Sequence, residues 1–104
     1  MKNDETILQE IKQAIQLLIP DAKISLFGSR ASGNYTEESD WDILVVTDSK
    51  ITGDKKHEIQ KILYSITLKT GAYFDLVLSY KEEWERTGRY YSLQESIGNN
   101  FKVL

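Results

Sequence analysis

Apolar positions along the chain follow two periods. Ile7, Ile11, Ile15 and Leu18 recur at three- and four-residue intervals, with Leu8 and Ala14 flanking the stripe, the spacing of a helix with one buried face. Asn3 or Asp4 can cap its start and Pro20 stops it. A second stripe, Ile59, Ile62, Leu63 and Ile66, predicts a helix from Thr52 to Lys69. Gly71 then stands where a left-handed C-terminal cap belongs. Between these helices the period shortens to two. Lys23 to Phe27 (KISLF) alternates as a short strand, and Asp40 to Val46 (DWDILVV) is a strand rich in β-branched residues. Ala72 to Ser79 (AYFDLVLS) is a third, interrupted by one charge, Asp75. Ser79 with Glu82, and Ser92 with Glu95, have capping-box spacing ahead of two short helices, the first ending at Gly88.

The order helix, strand, turn, strand, helix, strand, helix, helix predicts an α/β (α+β) fold. A small mixed β-sheet of at least three strands carries helices packed on it. No repeat, low-complexity stretch or linker divides the chain, so residues 1–104 read as one domain. That length leaves no room for a separate substrate-binding domain. Where a reaction needs a second surface, a homo-oligomer or a partner protein must supply it.

Charge narrows the picture. Thirteen Lys+Arg against 16 Asp+Glu give a net charge of −3, which argues against strong nucleic-acid binding through a basic face. A nucleotide remains an acceptable substrate, because a bound magnesium ion supplies positive charge locally. The absence of cysteine rules out disulfides and thiolate metal sites. The opening MKNDETILQE turns acidic at once and lacks the apolar core of a signal peptide, and the longest purely apolar run is Ile43 to Val46. The expectation is a cytoplasmic protein with no membrane association.

Three features carry candidate chemistry. Asp40 and Asp42 are two apart on a strand, so they face the same way with Cα atoms about 6.6 Å apart. Leu44 and Val46 continue that face into the interior, so the paired carboxylates repel each other and lose hydration, penalties that a hard divalent cation offsets. Asp75, in the middle of Tyr73-Phe74-Asp75-Leu76-Val77, occupies a position where a charge is costly. With its strand beside the second, it completes a three-carboxylate cluster. Carboxylates, waters and substrate phosphates are the donors magnesium prefers, and two such ions stabilise the entering and leaving oxygens of a phosphoryl displacement. The third feature is Gly28-Ser29-Arg30-Ala31-Ser32-Gly33, directly after the first strand. Its backbone N–H groups can cradle a triphosphate, with the Ser29 hydroxyl and the Arg30 guanidinium adding donors. Gly28 and Gly33 permit the tight turn.

Gly28-Ser29, Ser39-Asp40-Trp41-Asp42 and the later Asp75 together resemble the signature of the DNA polymerase β-like nucleotidyltransferases. The chain is most similar to their smallest branch, the minimal nucleotidyltransferases. The resemblance runs from the KISLF strand to Tyr91-Ser92-Leu93-Gln94-Glu95-Ser96-Ile97. It implies that Asp40 and Asp42 hold two Mg²⁺ ions (Mn²⁺ as a substitute) and that Asp75 holds one of them and helps to deprotonate the attacking hydroxyl. It also implies that Gly28, Ser29, Arg30 and Gly33 bind a nucleoside triphosphate. The implied activity moves a nucleoside monophosphate, AMP from ATP, onto a hydroxyl of a protein or small molecule. A helical toxin-like partner is implied as well, in a toxin–antitoxin pair. The alternative is a non-catalytic module that neutralises such a partner sterically. Two positions depart from the family pattern: Ser32 stands where a second arginine is common, and Gly98-Asn99-Asn100 where an acidic-Gly pair is common. His57, Trp41, Trp84, Tyr90 and Tyr91 read as surface or packing residues.

Overall fold

The structure is a computed structural model that describes residues 4–104. It contains α1 (Asp4–Leu18), β1 (Lys23–Phe27), α2 (Ser29–Ser32), β2 (Trp41–Thr47), α3 (Gly53–Thr70), β3 (Phe74–Tyr80), α4 (Lys81–Arg86), α5 (Tyr91–Ile97) and β4 (Phe101–Val103). The sheet order is β3-β2-β1-β4. β1 runs antiparallel to both β2 and β4, and β2 runs parallel to β3, so the sheet is mixed. A parallel pair cannot be closed by a tight turn, and α3 makes the crossover.

Strand alternation divides the protein into two faces. Ile24 and Leu26 of β1, Ile43 and Val45 of β2, and Leu76 and Leu78 of β3 pack on one face. They meet Ile7, Ile11 and Ile15 of α1 and Ile59, Leu63 and Ile66 of α3. Trp41 belongs to this face and is 2% exposed. Lys69 Nζ of α3 reaches Glu10 Oε1 of α1 at 2.7 Å, tying the two covering helices together. The opposite face carries a smaller cluster, Phe27, Leu44 and Ile97, with Val46, Val77, Trp84 and Leu93 against it. Here α4 and α5 cover only part of the sheet, and the end bearing Asp42 and Asp75 is left open.

Local signals set the long helices. Thr52 caps α3 by accepting from the Lys55 amide at 3.3 Å, and Gly71 ends it at φ 79° with its N–H on the Thr67 carbonyl. Asp4 lies in the first turn of α1 rather than ahead of it, and Asn3 is outside the described residues. Neither capping box forms. β3 runs straight into α4, so Tyr80 takes the N-cap position and buried Ser79 donates to Glu83 Oε1 at 2.9 Å, not to Glu82. α5 starts at Tyr91, which places Ser92 inside the helix. β4 adds a fourth strand, too short at three residues to announce itself by period. Among the described residues, no helix is long and apolar enough to cross a membrane.

Ile43 is fully buried on the central strand. Ile43→Ala is expected to lower the unfolding free energy by about 2–5 kcal/mol. Leu17→Ala, at a position 87% exposed, should stay within about 0.5 kcal/mol of the parent. Urea titration measures both, and equal losses would contradict this assignment of the core.

Candidate functional site

One row of the sheet brings the candidate residues together. Phe27 of β1 pairs with Asp42 of β2, and Asp42 pairs with Asp75 of β3. Residues paired across a sheet project from the same face, so the Asp42 and Asp75 side chains stand next to each other on the open one. Their carboxyl groups share a hydrogen bond, and Asp40, immediately before β2, adds its charge to the pair. The Asp42 carboxyl is held above the ordinary carboxylate range. Partial burial is the largest cause, followed by the charges of Asp75 and Asp40 and the hydrogen bond that the protonated Asp42 carboxyl donates to Asp75.

Two expectations about this cluster change. Asp75 is exposed, not buried, because β3 is an edge strand and no helix covers its N-terminal end on that face. Nor do the three carboxylates form a ready-made ion cage: among the described residues no three acidic or histidine side chains converge as one. Asp42 is the member common to both neighbours. The donor set still fits a hard divalent ion. All its donors are carboxylate oxygens, and among the described residues no lysine or arginine forms an ion pair with Asp40, Asp42 or Asp75.

The glycine turn is fitted against Asp42. Gly28 has φ 73° and ψ −155°, a region essentially restricted to glycine. A Cβ placed there would lie 2.9 Å from Asp42 Cγ, closer than real side chains approach. The absence of a side chain thus lets the backbone touch the carboxylate. Ser29 then opens α2. The amides of Ala31 and Ser32 bond to the Gly28 carbonyl, and that of Gly33 to the Ser29 carbonyl. The amides of Ser29 and Arg30 open the helix, where N–H groups have no intrahelical partner. Gly33 closes α2 in the left-handed region at φ 89°.

The Arg30 side chain turns to the loop that follows α2. Its Nε donates to the Ser39 carbonyl at 2.9 Å, and its Nη2 to the carbonyls of Thr36 and Glu37 at 3.3 and 3.2 Å. Its Nη1 meets Asp4 Oδ2 at 3.4 Å, and its Cζ lies 4.1 Å from the centre of the Trp41 ring. Trp41 belongs to the face opposite Asp42, and the guanidinium bonds and stacks with the loop and that ring, so its backbone amide is the part of Arg30 that stands at the start of α2.

A cleft of about 240 Å³ opens beside the turn, lined by Gly28, Ser32, Leu93, Ser96 and Asn100. The cleft touches the site only through Gly28 and Ser32 and includes none of the three aspartates; Ser96 and Asn100 form its far side. They arrive through α5 and the bend after it. A larger cleft of about 650 Å³ lies farther along the same face, over Leu44, Val46 and Val103, and includes none of the three aspartates.

Residues 6–97 match the nucleotidyltransferase domain family. A candidate protein adenylyltransferase of Methanocaldococcus jannaschii is 36% identical over 75 residues, covering 70% of this chain and 72% of that protein. The fold recurs in a toxin–antitoxin structure with AMP-PNP, at TM-score 0.64 and 20% identity over 91% of this chain and 69% of the other. It recurs also in the Shewanella oneidensis complex of a tri-AMPylated HEPN toxin with MNT antitoxin, at TM-score 0.60 and 18% identity over 95% and 69%. Over nearly its whole length, then, the chain belongs to the nucleotidyltransferase domain family, and it shares its fold with solved nucleotidyltransferases.

Proposed function

We propose that this nucleotidyltransferase moves AMP from ATP onto a hydroxyl of a partner protein, as the antitoxin of a toxin–antitoxin pair. The observation that carries the reading is the row in which the Gly28 backbone abuts Asp42 and Asp42 abuts Asp75. A steric binder gains nothing from adjacent acids, one of them partly desolvated. The relatives add support in kind: an adenylyltransferase by name, and antitoxin complexes holding a nucleotide analogue or an AMPylated partner.

In this reading Asp40, Asp42 and Asp75 hold Mg²⁺, which when bound neutralises charge on the phosphates. The Ser29 and Arg30 amides, with the Ser29 hydroxyl, bind the triphosphate, and Gly28 lets it approach Asp42 closely. Asp75 faces open solvent, where an acceptor hydroxyl can reach it, and takes the hydroxyl proton. The acceptor oxygen bonds to the α-phosphorus as the α–β anhydride bond breaks, and pyrophosphate leaves. The open end of the sheet gives a partner protein access to that oxygen.

Asp75→Asn should reduce transfer of labelled AMP by orders of magnitude, since positioning and electrostatics supply nearly all phosphoryl-transfer catalysis. Full activity in that variant, measured with the cognate partner, would sink the catalytic reading. Ser29→Ala removes one hydroxyl donor to a charged group and should cost about 1–3 kcal/mol of binding, equally for ATP, GTP and CTP. A loss confined to one base would place the turn against the base instead.

The raised Asp42 pKa gives a third expectation. A carboxyl with a raised folded pKa favours the folded state only while protonated, so its ionisation destabilises as pH rises through that value. In chelator, Asp42→Asn should therefore raise the melting temperature at pH 7, and the gain should vanish toward acid, where the parent is protonated too. Added Mn²⁺ should stabilise the parent and not the variant. A constant gain across pH would show that Asp42 carries no such tension.

A further inference from the structure

We infer that Arg30 is a positioning residue for Asp40, clamping the loop that delivers this aspartate to the nucleotide turn. The inference rests on the proposed role of Asp40 in holding metal. Asp40 has no secondary structure of its own: it follows loop residues 34–39 and precedes β2. Something must fix that loop, or the first aspartate would sample many positions while Asp42 stays pinned in the sheet.

Arg30 does this from α2. Its side chain is 6% exposed, an unusual burial for a guanidinium. Three of its hydrogen bonds go to carbonyls of the loop, at Thr36, Glu37 and Ser39, the last one residue before Asp40. It lies over two aromatic rings, its Cζ 4.8 Å from the Tyr35 centroid and 4.1 Å from that of Trp41, the residue after Asp40. The loop's own bonds, Ser39 N–H to the Thr36 carbonyl and Thr36 N–H to Ser39 Oγ, make a small closed unit for the fork to grip. Because Arg30 sits two residues after Gly28, one side chain links the turn to the aspartate segment. A lysine keeps the charge but presents a single ammonium in place of a planar fork, so it cannot reproduce the three-carbonyl grip.

The test combines Arg30→Lys, Asp40→Asn and the double variant in the full chain. The first readout is amide hydrogen exchange without metal. Arg30→Lys should speed exchange at Thr36, Glu38 and Ser39 by about tenfold or more, with the amides of α3 unchanged. The second is Mn²⁺ affinity in the presence of AMP-PNP, measured by calorimetry. Arg30→Lys should weaken it by about 10–100-fold, the usual effect of losing an outer-shell support. In the Asp40→Asn background the same change should cost less than about twofold, because the residue it acts through is gone. A merely structural arginine would weaken both backgrounds alike, and that result would overturn the inference, as would unchanged loop exchange. Should Arg30→Lys lose its far-UV circular dichroism, Arg30→Gln, which keeps a planar donor end, takes its place in the cycle. A parent that binds no Mn²⁺ would remove the proposed metal role. Exchange would then decide whether Arg30 holds the Asp40 segment, faster loop exchange sustaining the clamp and unchanged exchange overturning it.

Discussion

The register of β2 between its two neighbours governs everything else. Phe27, Asp42 and Asp75 share one row, and the residues flanking Asp42, Trp41 and Ile43, point to the opposite face and are almost wholly buried. A slip of one residue would drive Asp42 into the core and expose the tryptophan. Hydrophobic burial by α1 and α3 therefore does two things at once. It supplies the stability of the fold, and it fixes which side of the sheet carries the acids. The site has no scaffold separate from the core.

Within that frame the acids are graded by exposure. Asp42 is partly covered and bears the electrostatic burden, whereas Asp40 and Asp75 are open to water on either side of it. Water solvates the outer two, which keeps the cost of the group within what the core can offset. The same openness leaves the reacting end of the sheet accessible to something as large as a protein.

Much of this was readable in the residue order. Both long helices, three strands and the opposed orientations of Trp41 and Asp42 follow from periods of 3.6 and two, which record which side of an element meets the core. Gly71 and Pro20 marked helix ends because their backbone preferences are strong and local. What stayed hidden depends on contacts between distant segments. The exposure of Asp75 follows from its strand lying at the sheet edge, a matter of topology that no local pattern records. Arg30 binds backbone carbonyls, which every residue type possesses, so nothing in Thr36, Glu37 or Ser39 advertises an arginine partner. β4 and the side chains of Ser96 and Asn100 come into place only once α5 has turned the chain back toward β1.

The geometry at Gly28 also bears on how inactive descendants of such a domain would look. A side chain at that position is opposed twice, by the Asp42 carboxylate and by the backbone's own torsion of φ 73° and ψ −155°. A lineage that gave up catalysis could exchange its aspartates for smaller neutral residues, relieving the first objection. The second would persist, because it is imposed by the strand-to-helix turn itself. Gly28 is thus a fossil of the fold, retained whether or not chemistry survives, while the aspartates report on the chemistry itself. A homologue with the glycine but without the acids should be classed as a retired enzyme.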